Sequence, residues 1–188
     1  MKIIPITDRL FQVEELFPQE LVDKLLNRDW LSSPYQTKES GSDLFRRSLL
    51  LDTTLIEANT AIIELQPQIE DLCRVTFKIP AQVVSTQWWV DEPGFTVGLH
   101  TDGELPSTMQ MYWVSPTIFL GTMFSHSSNH HESPYKTFIP IVNTGYIMLN
   151  GKNQDGSQPK LWHRMINPVP PGTFRVSSYT SFGQYTDK

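Results

Sequence analysis

The residues of this chain best suited to chemistry are His100-Thr101-Asp102, His163 and Arg175-Val176-Ser177, in that order along 188 residues. Two imidazoles and one carboxylate suit a divalent iron that keeps coordination positions open for substrate and dioxygen (O2). Arg175 has a place in the same chemistry. A planar guanidinium grips a carboxylate through two parallel hydrogen bonds, so it suits the far end of a dicarboxylic co-substrate such as 2-oxoglutarate while the keto-acid end reaches the metal. A hydroxyl at Ser177 would add one more donor to that carboxylate.

Strand geometry accounts for the spacing. Alternate side chains of a β-strand share a face, so His-x-Asp places His100 and Asp102 together, and Arg-x-Ser does the same for Arg175 and Ser177. His163 must then come from a third segment. Leu161 to Ile166 reads as that strand, Pro168 to Gly172 as a turn, and Thr173 to Ser177 as the strand that follows.

The stretch Gln87-Trp88-Trp89-Val90-Asp91-Glu92-Pro93-Gly94 precedes His100-Thr101-Asp102-Gly103; His163 through Pro168, Gly172, Arg175 and Ser177 follow. On these residues the chain resembles the Fe(II)- and 2-oxoglutarate-dependent dioxygenases, prolyl-4-hydroxylase-like in particular, over about residues 80 to 185. The resemblance implies a double-stranded β-helix, or jelly roll, in which His100, Asp102 and His163 bind iron as the catalytic centre and Arg175 and Ser177 bind 2-oxoglutarate. It implies oxidative decarboxylation of 2-oxoglutarate coupled to hydroxylation of a small-molecule or peptide substrate. Family halogenases carry a small residue in place of the carboxylate, so Asp102 favours hydroxylation. Two positions depart from the family pattern: Asp91 stands where many relatives have a Tyr, and Val97 where they have another aromatic. Tyr112 or Trp113 could supply the missing wall of the co-substrate pocket, and strand alternation allows only one of these neighbours to face it.

The elements that must position these residues divide the chain near residue 80. Before it, Met1 to Val13 alternates weakly, Pro18 to Leu26 has apolar residues at helical spacing, and residues 31 to 43 form a polar loop. Leu44 to Leu51 reads as a strand with Arg46 and Arg47 on opposite faces. A helix is expected from Thr53 to Phe77, broken or kinked at Pro67. Beyond Pro80, strands are expected at 82–90, 95–101, 108–114, 117–124, 136–142, 145–150, 160–166 and 173–180, enough for an eight-stranded jelly roll. We therefore expect a single domain, mainly β with flanking helices, in which residues 1–79 are an N-terminal elaboration packed on one sheet and 80–185 are the catalytic core.

Composition narrows the alternatives. A hydrophobic fraction of 39% with 5 Trp, 10 Phe and 6 Tyr indicates a globular domain, and 14 Pro with 10 Gly fit a turn-rich fold. A net charge of -5 without a basic cluster beyond Arg46-Arg47 argues against a nucleic-acid partner, and no apolar run reaches the roughly 20 residues of a membrane helix. Cys73 is the only cysteine, so no internal disulfide forms, and a reducing cytoplasm suits ferrous iron. His126, His130 and His131 lie in a polar stretch that reads as loop. Competing readings are a cupin-like metal enzyme without 2-oxoglutarate, a zinc hydrolase, and a non-catalytic jelly-roll binding module. The first leaves Arg175 and Ser177 without a task, and the second lacks a general base.

Overall fold

The computed structural model describes residues 1–36, 45–77, 83–102, 107–151, 157 and 160–183. Part of the polar loop, Gly103 and the boundary near residue 80 lie outside the described residues. The elements in chain order are β1 (Lys2–Pro5), β2 (Leu10–Glu14), α1 (Gln19–Leu26), β3 (Tyr35–Gln36), β4 (Arg46–Leu49), α2 (Thr53–Glu64), α3 (Gln66–Phe77), β5 (Val83–Asp91) and β6 (Ser107–Val114). There follow β7 (Thr122–Ser125), β8 (Lys136–Phe138), β9 (Thr144–Leu149), β10 (Trp162–Met165) and β11 (Arg175–Phe182). All strand pairs are antiparallel. They form a large sheet ordered β1-β2-β9-β6-β11-β5-β4-β3 and a small one ordered β10-β7-β8, the two sheets of a jelly roll.

The break expected within 53–77 falls at Leu65, which caps α2, and Pro67 occupies the first turn of α3, where its missing N–H breaks no helical bond. The Asp52 side chain accepts a hydrogen bond from the Leu55 N–H at 3.1 Å and so caps α2 at its other end. Alternation divides the large sheet cleanly. Phe11, Val13, Trp88, Val90, Met109, Met111, Trp113, Ile147 and Val176 point outward, into a core closed by Leu21, Val22 and Leu25 of α1, Leu55, Ala58 and Ile62 of α2, and Ile69 of α3. Trp88 is tied to α2 by its indole N–H, which donates to Asn59 Oδ1 at 2.8 Å. The helices therefore hold the outer face of the sheet, leaving its inner face for the site. Gly145 lets β9 approach β6: a Cβ there would lie 1.9 Å from the Gln110 carbonyl oxygen.

Three expectations are corrected. Residues 95–101 do not form a regular strand; only His100 makes a bridge, to His163. The 117–124 segment opens with a 3-10 turn at Ile118–Leu120 before β7 begins. Tyr35 and Gln36, read as part of a loop, form β3, which with the N-terminal strands β1, β2 and β4 belongs to the large sheet itself. Hydrophobic spacing finds such strands but does not reveal which neighbours they pair with.

Candidate metal centre and its cleft

Between the inner face of the large sheet and the small sheet lies a cleft of about 270 Å³ whose lining includes His100, Asp102 and His163. The backbones of His100 and His163 exchange two hydrogen bonds, at 3.0 and 2.9 Å, which brings the imidazole of a loop beside that of β10. Asp102 follows two residues later, outside regular strand geometry. The strand expected to explain the His-x-Asp spacing is thus replaced by an isolated bridge at His100, with Asp102 beyond it in irregular backbone. The outcome is close convergence: one ligand atom from each of the three lies within 4.8 Å of the others. His100 Nε2 is 3.3 Å and His163 Nε2 3.7 Å from Asp102 Oδ1.

Both imidazoles are oriented by their other nitrogen. Nδ1 of His100 lies 2.8 Å from the Gly98 carbonyl oxygen, and Nδ1 of His163 lies 2.9 Å from that of Leu161. A carbonyl can only accept, so Nδ1 carries a proton in each ring and Nε2 is the nitrogen turned toward Asp102, the one that would ligate a metal once it carries no proton. Burial lowers the pKa of His163, which favours its neutral form. The hydrogen bond to Asp102 raises that of His100. Burial pushes the Asp102 carboxyl upward, but hydrogen bonds from His100 and Tyr179 and the nearby His163 hold it below its ordinary value.

Tyr179 was not among the expected site residues, although it shares the parity of Arg175 and Ser177 on β11. Its hydroxyl donates to Asp102 Oδ2 at 2.8 Å, and its ring stacks on Trp89 with centroids 5.2 Å apart. Burial raises its pKa, so it remains a donor. Tyr179→Phe is expected to weaken divalent-metal binding roughly tenfold, the low end for removing a partner that orients a metal ligand. Calorimetric titration of the variant with the metal checks this, and an unchanged affinity would show that Asp102 needs no such support.

The far end of the cleft differs from expectation. Arg175 is fully buried, but Nε and Nη2 donate to Asp91 Oδ2 at 2.8 and 2.5 Å, and Nη1 donates to the Leu120 carbonyl at 2.7 Å. Asp91, the residue that departs from the family pattern, therefore occupies part of the fork expected to meet a ligand. A guanidinium has five N–H donors, so three bonds leave two for another acceptor. Burial pushes the Asp91 carboxyl upward, but the charges of Arg175 and Arg46 hold it below the usual carboxylate range. Beside Arg175, Ser177 Oγ is buried and has no hydrogen-bond partner. Unlike Arg175, Ser177 does not reach the lining of the cleft, so its unpaired hydroxyl lies beneath the surface that a ligand would touch.

Register places Tyr112 on the inner face of the sheet and Trp113 on the outer, and neither reaches the lining of the cleft. Tyr112 pairs with Ser177 and faces inward, although its hydroxyl is bonded to Thr122 Oγ1 at 2.7 Å and it lies behind the wall that Thr122 and Tyr146 form. Trp113 faces the helices, stacks on Phe17 and Trp88, and donates to Ser178 Oγ, which removes it from the cleft. Trp89, the inward member of the Trp88-Trp89 pair, lines the cleft instead. His126, His130 and His131 are exposed in the β7–β8 connection, with the His126 ring stacked on Tyr135.

No protein-family model matches the chain, and no curated protein matches its sequence. Solved structures do match, and they define the class of fold. A prolyl-4-hydroxylase from Pseudomonas putida shares 15% identity, with a TM-score of 0.61 over 94% of this chain and 93% of that one. A prolyl hydroxylase from Trichoplax adhaerens, in complex with a hypoxia inducible factor peptide fragment, shares 9% identity, with a TM-score of 0.64 over 95% of this chain and 84% of that one. The epimerase SnoN from nogalamycin biosynthesis, in complex with Fe3+, alpha ketoglutarate and nogalamycin RO, shares 12% identity, with a TM-score of 0.59 over 95% and 80%. The chain has the jelly-roll fold of the 2-oxoglutarate oxygenases, and among these neighbours are prolyl hydroxylases.

Proposed function

We propose that the protein is a non-haem Fe(II)- and 2-oxoglutarate-dependent dioxygenase that hydroxylates a small-molecule or peptide substrate. The observation that carries this reading is the convergence of His100, Asp102 and His163, with Nδ1 of both imidazoles anchored on a backbone carbonyl so that Nε2 faces Asp102. The donor set fits ferrous iron, and three protein ligands leave positions open for exchangeable partners. Iron bound there with 2-oxoglutarate supplies the capacity to activate dioxygen for attack on a C–H bond.

The chain's own residues then have distinct tasks. His100, Asp102 and His163 hold the metal, and Tyr179 keeps Asp102 turned toward it. Arg175, which lines the cleft, receives the distal carboxylate of the co-substrate through its remaining N–H groups, with the Ser177 hydroxyl buried beside it. Tyr112 acts from behind, by fixing Thr122 in the wall. Trp89 and the buried inner face of the sheet exclude water from this end of the cleft. The net charge of -5 disfavours a nucleic-acid substrate, and among the described residues no helix is long and apolar enough to cross a membrane.

One observation favours a second reading, a metal enzyme of the same fold that does not use 2-oxoglutarate. Arg175 has a structural task in holding Asp91, so its presence alone does not require a co-substrate. Anaerobic addition of ferrous iron and then 2-oxoglutarate separates the two. We expect iron to bind and 2-oxoglutarate to produce a weak visible charge-transfer band, followed in air by succinate formation. Iron binding without the band would identify the second reading, and failure to bind iron would reject both.

A further inference from the structure

Phe119 is the most exposed large apolar side chain among the described residues, at 59%, and Ile118 beside it is 55% exposed. Both belong to the 3-10 turn between β6 and β7. In the connection between β8 and β9, Ile139 and Ile141 are 43% and 57% exposed. The two connections lie against each other, because Gly121 packs onto Phe138 and Pro140 so closely that a Cβ there would lie 1.8 Å from the Phe138 carbonyl oxygen. Neither residues 115–121 nor residues 138–143 include a charged side chain. On a chain of net charge -5, the two connections together make an uncharged apolar patch.

Ile139 and Ile141 also line a groove of about 210 Å³, together with Gln12, Glu14 and Lys136. Lys136 Nζ donates to Gln12 Oε1 at 3.1 Å, and Gln12 Nε2 donates to Glu14 Oε1 at 2.7 Å. A neutral amide therefore stands between the cation and the carboxylate. Two opposite charges are held on one surface without meeting.

That combination suits a second copy of the same chain. A two-fold interface sets one surface against itself, so that residue i meets j and j meets i; Lys136 of each copy then faces Glu14 of the other, while the apolar side chains close over one another. The area fits as well. A half-exposed Phe presents roughly 100 Å², so four such side chains offer on the order of 300–400 Å² per copy, a patch that monomers rarely leave open and about half of the ~800 Å² per partner of a standard interface. The groove walls add to this, which places the contact in the weak, concentration-dependent range.

We propose that this patch is a homodimer interface, in which the turn bearing Phe119 seats in the groove of the other copy and Lys136 pairs crosswise with Glu14. The inference is independent of the metal and co-substrate reading. It bears on the site nonetheless, because the same turn supplies the Leu120 carbonyl that accepts from Arg175, so association would brace that end of the cleft.

Sedimentation equilibrium of the full chain, with no metal added, tests the proposal. Wild type is expected to pass from monomer to dimer between low and high micromolar concentration. Phe119→Ser is expected to raise the dissociation constant roughly tenfold or more, as truncation of a central aromatic does. Lys136→Glu sets like charges against each other and should also weaken association, and adding Glu14→Lys to it should restore the dimer. Circular dichroism checks that each variant folds. A wild type that stays monomeric throughout leaves the patch to a different partner and overturns the proposal. So does a dimer that Phe119→Ser leaves unchanged, or one that the double exchange fails to restore, because either result puts the contact on another surface.

Discussion

Asp102→Ala is expected to abolish ferrous-iron binding at micromolar metal while leaving the fold intact. Loss of a group that merely orients a metal ligand costs about 10–100-fold in affinity, so loss of the ligand itself should cost at least about 100-fold. The carboxylate is also the only negative charge among the three candidate ligands; both Nε2 atoms face it at 3.3 and 3.7 Å, and the Tyr179 hydroxyl donates to it. Without it, two neutral imidazoles remain around the metal. Anaerobic calorimetric titration with ferrous iron measures the loss, and near-ultraviolet circular dichroism confirms that packing survives. Binding within a few-fold of wild type would mean that the metal is held elsewhere.

Arg175→Ala is expected to strike the fold itself. Removing one partner of a buried ion pair costs about 3–5 kcal/mol, because the partner is left charged and uncompensated. Asp91 retains Arg46, which places the expected loss near the lower end, while the Leu120 carbonyl also loses its donor. A domain whose total stability is about 5–15 kcal/mol would lose a large share of it. Urea denaturation measures the difference. Arg175→Lys, which keeps a charge near Asp91, should recover part of it; equal loss in both variants would show that the fork geometry, not the charge, holds the site. Acid supplies a further check. The folded-state pKa of Asp91 is depressed, so its contribution is present above the unfolded value near 3.8 and lost as pH falls through the lower folded value. The stability gap between wild type and Asp91→Asn should narrow over that acidic range.

The triad was legible because each member carries its own signal: His-x-Asp at short range, and His163 on a segment with clear strand composition. The break at Pro67 was equally local, since proline chemistry does not depend on tertiary context. The Tyr112 and Trp113 pair was legible only as an alternative, and pairing with Ser177 decides which of the two faces inward. Tyr179 was within reach, because it continues the 175, 177 parity on a strand that was read as ending at 180. The row that Arg46, Asp91 and Arg175 form across β4, β5 and β11 was not. It depends on β4 and β11 flanking β5 in one register, and nothing local in three distant segments encodes a strand order. Asp91 was noticed as a departure from the family pattern, but its two cations could be found only in the folded chain.

The strand order also bears on biosynthesis. β5 and β6 follow one another in the chain yet do not pair; β11 lies between them and hydrogen-bonds to both. A nascent polypeptide on the ribosome therefore carries two sheet fragments with unsatisfied inner edges until β11 emerges. Such edges invite intermolecular pairing, and the wait imposes long-range loop closure late in folding. The strand that ends this vulnerability is the one that brings Arg175, Ser177 and Tyr179, so a molecule with an assembled cleft is also one whose large sheet has closed.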